Sequence, residues 1–154
     1  RLFKHWVHEG GISTPLIVYW PAEIKESKIV KNISYIADIT ATCLDVGEAE
    51  YPKKYNGQSI TPLEGESFLK LLKGENWRRE KPIFWEHEGN KAVRAGKWKL
   101  VSRNQDNWEL YNMEEDRTEL NNIAASKKEI VEKLKNEYNK WAEKCGVLER
   151  PINK

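Results

Sequence analysis

Long apolar runs are missing from this sequence: the longest, Leu16-Ile17-Val18-Tyr19-Trp20, is far shorter than the roughly 20 residues of a membrane helix. Cysteine is nearly absent. Only Cys43 and Cys145 occur, enough for one bridge at most and too few for a disulfide framework or a four-cysteine zinc site. An excess of either charge is absent too, with Lys plus Arg at 26 and Asp plus Glu at 24. Residues 1–82 hold 12 basic and 11 acidic side chains and residues 83–154 hold 14 and 13, so each half nets +1. That evenness argues against a nucleic-acid-binding arm, an acidic tail or a polybasic membrane patch. Apolar residues make up only 39 %, against about 45–50 % in ordinary globular chains when Gly is included. The chain opens at Arg1 with neither methionine nor secretory leader, a start that reads as processed or truncated.

Tryptophan, by contrast, is abundant, with seven among 154 residues. The apolar block Pro15 to Trp20, bounded by Gly10-Gly11 and Pro21, predicts a strand buried on both faces. Such a strand belongs to a parallel sheet, yet no second run of that kind follows. A strand without its sheet points to a larger α/β protein. Ser34 to Val46 predicts a helix with Ser34 as N-cap, Asp38 in the first turn and an apolar stripe of Ile36, Ala37, Thr40, Cys43 and Leu44. Residues 48–65 are turn-rich, and a short helix is expected over Ser67 to Lys73, closed by Gly74.

From Pro82 onward the character changes. Ile83–Glu88, Lys91–Ala95, Lys97–Arg103 and Trp108–Asn112 are short strand-like runs separated by Gly89-Asn90, Gly96 and a polar tetrapeptide. They predict an antiparallel meander of three or four strands. Ser126 and Glu129 have the spacing of a capping box. The stripe Ile130, Leu134, Tyr138, Trp141, Ala142 and Cys145 then marks an amphipathic helix packed on the meander. The fold class read from the chain is α+β.

Five segments, in order, resemble the second half of the sulfatase family, the arylsulfatase-like sulfuric ester hydrolases. They are Lys4-x4-Glu9-Gly10-Gly11-x3-Pro15 with Trp20-Pro21, and Asp38-Ile39-x2-Thr42-x-Leu44-Asp45. Gly57-Gln58-Ser59-Ile60-x-Pro62-Leu63 and Ala92-Val93-Arg94-x-Gly96-Lys97-Trp98-Lys99-Leu100 come next. Trp108-Glu109-Leu110-Tyr111-Asn112 with Asp116-x2-Glu119-x-Asn121 closes the set. The resemblance implies that residues 1–75 are a C-terminal remnant of a large α/β catalytic domain, contributing one strand and one helix. Residues 76–154 would then be the small C-terminal subdomain of antiparallel sheet and helix.

The resemblance further implies that Lys4 contacts the sulfate group and the formylglycine nucleophile, placing a positive charge where the transferring group is negative. Glu9, Gly10 and Gly11 match the same motif in a structural capacity. The family often has Arg where Ser13 stands, and Pro where Ala41 and Arg117 stand. The nucleophile signature C/S-x-P-x-R is missing: Cys43 is followed by Leu-Asp-Val and Cys145 by Gly-Val-Leu. The paired aspartates and the Asp-Asn pair that hold calcium in the family are missing as well. Calcium is therefore implied for the full-length enzyme and for the N-terminal part of the same protein, with no cation bound by this chain, which alone should be inactive. The implied partners are a sulfated glycan or another sulfate ester, without nucleic acid or membrane insertion, in the periplasm or outside the cell.

Trp85-Glu86-His87-Glu88-Gly89-Asn90 together with Arg94 suits the rim of a sugar site, and His87 and Arg94 are the candidate substrate-binding residues. The plainer reading is a hairpin turn at Gly89-Asn90 with Trp85 in the core. His5 and His8 invite a zinc reading, but no third ligand lies near them in sequence. Asn32-Ile33-Ser34 fits the N-glycosylation pattern. A different explanation for the tryptophans is a non-catalytic carbohydrate-binding module, with Trp77, Trp85, Trp98, Trp108 and Trp141 as candidates, and a purely structural α+β module is a third.

Overall fold

The computed structural model describes residues 1–104 and 106–148. The chain forms two compact units, one of residues 1–15 together with the chain from Pro82 onward, the other of residues 16–81. The first fifteen residues thus pack with the C-terminal sheet, and the later boundary between the two units falls at Lys81/Pro82.

The unit of residues 16–81 contains helix α2 (Ile36–Val46), the hairpin β1 (Lys54–Tyr55) and β2 (Gln58–Ser59), and the short helix α3 (Leu69–Leu72). The strand expected over Pro15 to Trp20 does not form: the segment has no secondary structure, and Ile17 and Tyr19 are 90 % and 88 % exposed. A strand needs a neighbour for its backbone hydrogen bonds, and none of the described strands lies beside it. Helix α2 starts at Ile36 with Tyr35 as N-cap, not Ser34. Its buried face carries Asp38, Ala41 and Thr42, whereas Ile36 and Cys43 are exposed.

That polar face explains the Asp38-x3-Thr42 pattern. The fully buried Asp38 carboxylate accepts the Tyr35 and Glu66 backbone N–H groups, each at 2.7 Å, and pairs with the Arg79 guanidinium. Thr42 donates its hydroxyl to the Asp38 carbonyl at 2.7 Å and accepts the Phe68 N–H at 3.0 Å. Gly65 sits so close to α2 that a Cβ there would lie 2.1 Å from the Ala37 carbonyl oxygen. The Asn32 side-chain nitrogen donates to the Trp77 carbonyl at 2.6 Å.

In the other unit the expected meander forms as a four-stranded antiparallel sheet in the order β3-β4-β5-β6. Its strands are β3 (Ile83–His87), β4 (Asn90–Ala95), β5 (Trp98–Ser102) and β6 (Glu109–Asn112). The β3–β4 turn is Glu88-Gly89, both at positive φ, and Asn90 opens β4 as the partner of His87. Two-residue hairpins of this hand require positive φ at both central positions. The α+β reading holds: helix α4 (Lys128–Cys145) packs on one face against Val93, Leu100 and Leu110 through Leu134 and Tyr138. The Ser126/Glu129 capping box does not form. Ser126 lies in a 3-10 turn (Ala124–Ser126), its hydroxyl donates to the Ile123 carbonyl at 3.0 Å, and Lys127 is the N-cap.

All seven tryptophans are half-buried. Trp98 and Trp108 pack under α4, Trp141 projects from α4 into the same core, Trp85 packs on the opposite core, and Trp77 stands edge-on against Phe68. The exposed row of rings that a carbohydrate-binding platform needs is not among them.

Candidate functional site

The other face of the sheet is closed by the chain's own first segment. Val7 packs on Ala92, Val101, Tyr111 and Met113. Helix α1 (Glu9–Ile12) is a single turn. Its two glycines answer to space: a Cβ on Gly10 would lie 2.0 Å from the Leu2 carbonyl oxygen, and one on Gly11 1.9 Å from that of Trp6. Only glycine lets the turn fold this tightly onto the residues that precede it.

Charged groups seat the turn. Lys99 on β5 and Glu119 are both fully buried and pair at 2.7 Å. The second Glu119 oxygen accepts the Glu9 N–H at 2.9 Å, and Glu9 itself lies 3.5 Å from Lys99 and 3.4 Å from Arg117. Burial pulls the Lys99 ammonium below the usual lysine range, against the raising effect of Glu119 and Glu9. His8, also fully buried, sits with Nε2 at 3.2 Å from Glu109, which takes Arg1 at 2.5 Å and the Tyr111 hydroxyl at 3.0 Å as well. Burial holds the His8 imidazole below its ordinary value, and its Nδ1 has no hydrogen-bond partner among the described residues. The Glu119 carboxylate and the Glu9 backbone are thus what fixes the Glu9-Gly10-Gly11 corner on the sheet.

With that corner fixed, the preceding residues reach the β3–β4 hairpin tip. The buried Asn90 side chain donates to the His5 carbonyl at 3.1 Å and to the His87 carbonyl at 2.9 Å, and accepts the Asn104 N–H at 3.2 Å. The His5 and His87 rings stack at 5.8 Å with planes 13° apart, and His5 Nδ1 lies 3.2 Å from the Glu88 carboxylate. Lys4, one residue away, is exposed at φ +57° and makes no hydrogen bond or ion pair among the described residues. His5, Trp6, Glu88, Asn90 and Asn104 line a cleft of about 310 Å³.

Of the residues singled out from sequence, Lys4 and His87 therefore arrive in one neighbourhood. Arg94 does not. It lies four residues further along β4, about 13 Å at strand rise, where its Nε donates to the Gly96 carbonyl at 2.9 Å. Burial lowers its pKa, with Glu9 acting against it. His8 is turned to Glu109 and, among the described residues, belongs to no group of three possible metal ligands, while His5, His87 and Glu88 bring donor atoms within 4.8 Å of one another. Two nitrogens and one carboxylate do not suit calcium, which takes six to eight oxygens. The described residues of this chain do not fit that ion. The sequence singled out Glu88 in the Trp85–Asn90 segment and His5 beside Lys4, but its spacing offered no signal that the fold would gather them with Asn104 from three separate segments.

Several known proteins similar to this chain are named as sulfatases. The chain is 28 % identical over 109 residues to an uncharacterized sulfatase of Schizosaccharomyces pombe, covering 66 % of this chain and 19 % of that protein. It is 34 % identical over 99 residues to an arylsulfatase of Hemicentrotus pulcherrimus, covering 63 % and 16 %. Among solved structures, Ps i-CgsB in complex with k-i-k-neocarrahexaose matches with a TM-score of 0.54 at 26 % identity, over 68 % of this chain and 23 % of that one. The chain thus spans under a quarter of each of these relatives. By class it is a sulfatase C-terminal domain. It belongs to the family described as N-sulphoglucosamine sulphohydrolase, C-terminal, whose profile matches residues 1–144.

Proposed function

We propose that this chain closes the active site of a sulfatase that hydrolyses sulfate esters, with Lys4 contacting the sulfate and His87 the leaving-group side. The observation that carries the reading is the stacking of His5 on His87, which joins the lysine-bearing turn to the hairpin tip. An exposed ammonium without a competing carboxylate is available to a sulfuryl group. There it stabilises charge that grows on the oxygens as the ester bond breaks, a term that commonly supplies the largest share of rate enhancement. His87, at the end of a strand held by Asn90, offers a ring nitrogen to a hydroxyl of the departing group. Arg94 is committed to Gly96 and receives no substrate contact in this proposal.

The nucleophile, a formylglycine, and a calcium ion belong in this reading to the part of the full-length protein that precedes these residues. Sulfated glycans, met in the periplasm or outside the cell, are the proposed substrates. No helix of the described residues is long and apolar enough to cross a membrane.

Replacing Lys4 by Ala in the full-length protein tests the assignment with 4-nitrocatechol sulfate. A kcat loss of about 10²–10³, the usual cost of one transition-state donor, is expected, with partial recovery in Lys4→Arg. A kcat within twofold of the parent overturns it. Turnover by the 154-residue chain alone, after repeated purification, would also overturn it.

A further inference from the structure

We propose that Asn90 is a positioning residue: its buried side chain locks the lysine-bearing turn and the β3–β4 hairpin tip into one unit, so that Lys4 and His87 meet a substrate in fixed register. This rests on the sulfatase reading above and adds to it a residue that touches no substrate.

The hairpin itself gives no local reason for an asparagine here. The turn is Glu88-Gly89, which already supplies both positive φ values, and Asn90 stands beyond it as the first residue of β4, paired with His87. Asparagine is depleted in strands, because its amide competes with the ladder for backbone partners. Asn90 is 4 % exposed, and a buried amide is tolerated only where its polar atoms find partners.

Its polar atoms all find them. Nδ2 donates to the His5 carbonyl at 3.1 Å and to the His87 carbonyl at 2.9 Å, and Oδ1 accepts the Asn104 N–H at 3.2 Å. The three partners are main-chain groups 85, 3 and 14 residues away in sequence. Only one orientation of the amide satisfies them, since a flipped side chain would set its oxygen against two carbonyls and its NH2 against an N–H. An apolar side chain could fill the same space but could not fix three backbones to one another.

The ties fall where the chemistry needs them. His5 follows Lys4, which stands at φ +57°, a region where lysine persists only if its surroundings over-determine it. On one side those surroundings are Gly10 and Gly11, closed against the Leu2 and Trp6 carbonyls. On the other is the Asn90 amide on the His5 carbonyl. At the tip the accepting carbonyl belongs to His87 itself, so one amide holds both backbones from which the stacked His5 and His87 rings project.

A residue that merely adds stability lowers activity by the same factor whatever else is mutated. A positioning residue loses its effect once the group it positions is gone. A double-variant cycle in the full-length protein with 4-nitrocatechol sulfate reads that difference. Asn90→Ala should lower kcat at least tenfold while moving KM less than threefold. Asn90→Asp, equal in size but without the two donors, should lose at least as much. On top of Lys4→Ala, Asn90→Ala should cost less than threefold. Equal losses in both backgrounds, or parent-like kcat in Asn90→Asp, overturn the proposal. Should Asn90→Ala not fold, Asn90→Ser, small and with one donor left, takes its place in the cycle with the same expectation. A Lys4→Ala variant without loss overturns the Lys4 assignment instead, and the cycle is then run against His87→Ala on the same criterion.

A second readout is independent of activity. Cleavage after Lys4 by endoproteinase Lys-C requires the turn to open locally. Followed by mass spectrometry, it should speed up at least tenfold in Asn90→Ala relative to the cut after Lys140 in α4. If the full-length protein hydrolyses no sulfate ester, the sulfatase reading falls and this ratio alone decides: a rise supports the tie, and an unchanged ratio overturns it.

Discussion

Lys99 and Glu119 illustrate how a buried ion pair differs from a surface one. Both are fully buried and 2.7 Å apart, so removing one leaves the other charge desolvated and unanswered. Lys99→Met should cost about 3–5 kcal/mol in urea unfolding. Adding Glu119→Gln removes the orphaned charge while keeping an oxygen for the Glu9 N–H, and should restore more than half of that loss. A single variant as stable as the parent would show that the pair contributes little. His8 and Glu109 set a pH dependence of definite sign. Burial keeps the folded His8 pKa below 6.5. Below pH 6.5 the unfolded chain therefore binds a proton that the folded chain resists, and stability falls on acidification. For Glu109, burial alone would raise the pKa, but hydrogen bonds from Arg1, His8 and Tyr111 hold it below 4.5. Its contribution is present above pH 4.5 and is lost as pH falls through the folded value. The urea midpoint should drop from pH 7.5 to pH 5.5, and less so in His8→Phe. A flat profile over that interval would contradict the His8 part.

Among the elements, α4 and the meander were the most legible in sequence. The α4 stripe places Leu134 and Tyr138 on the sheet at 2 % exposure each, with Trp141 stacked on Phe84 at 5.2 Å. Tyr138 nonetheless carries a liability that periodicity does not reveal: its hydroxyl is buried with no partner among the described residues. Tyr138→Phe removes a desolvated polar atom at no packing loss, so its melting temperature should match or exceed the parent's, by up to about 1 kcal/mol in stability. A clear drop would mean the hydroxyl has a partner in solution. Three elements were misread for physical reasons. Leu16–Trp20 has the composition of a buried strand, but composition cannot supply the neighbour that pairs with it. Ser126 has capping-box spacing, but its hydroxyl is taken by Ile123 in a preceding turn. In α2 the apolar stripe pointed to the wrong face, because the buried side is polar and is satisfied by Asp38 and Thr42 hydrogen bonds to distant backbone. A family motif pointed to Lys4 and the Trp85–Asn90 segment to His87, while Glu88, His5 and Asn104 became neighbours only through the register of β3 on β4 and the Asn90 ties.

At the scale of the whole molecule, chain order and spatial order part company. The Glu9 backbone is seated on Glu119, 110 residues later, across the sheet that Pro82 onward builds. During synthesis the lysine-bearing turn therefore leaves the ribosome long before the strands that receive it. At about 5–20 residues per second, 110 residues is a wait of roughly 5–20 s. For that interval Gly10, Gly11 and the residues around Lys4 have no sheet to close against. A ribosome stalled before Glu119 would hold a chain whose turn around Lys4 is fully translated and still without its seat, so protection of that turn from proteolysis would arrive late and in one step.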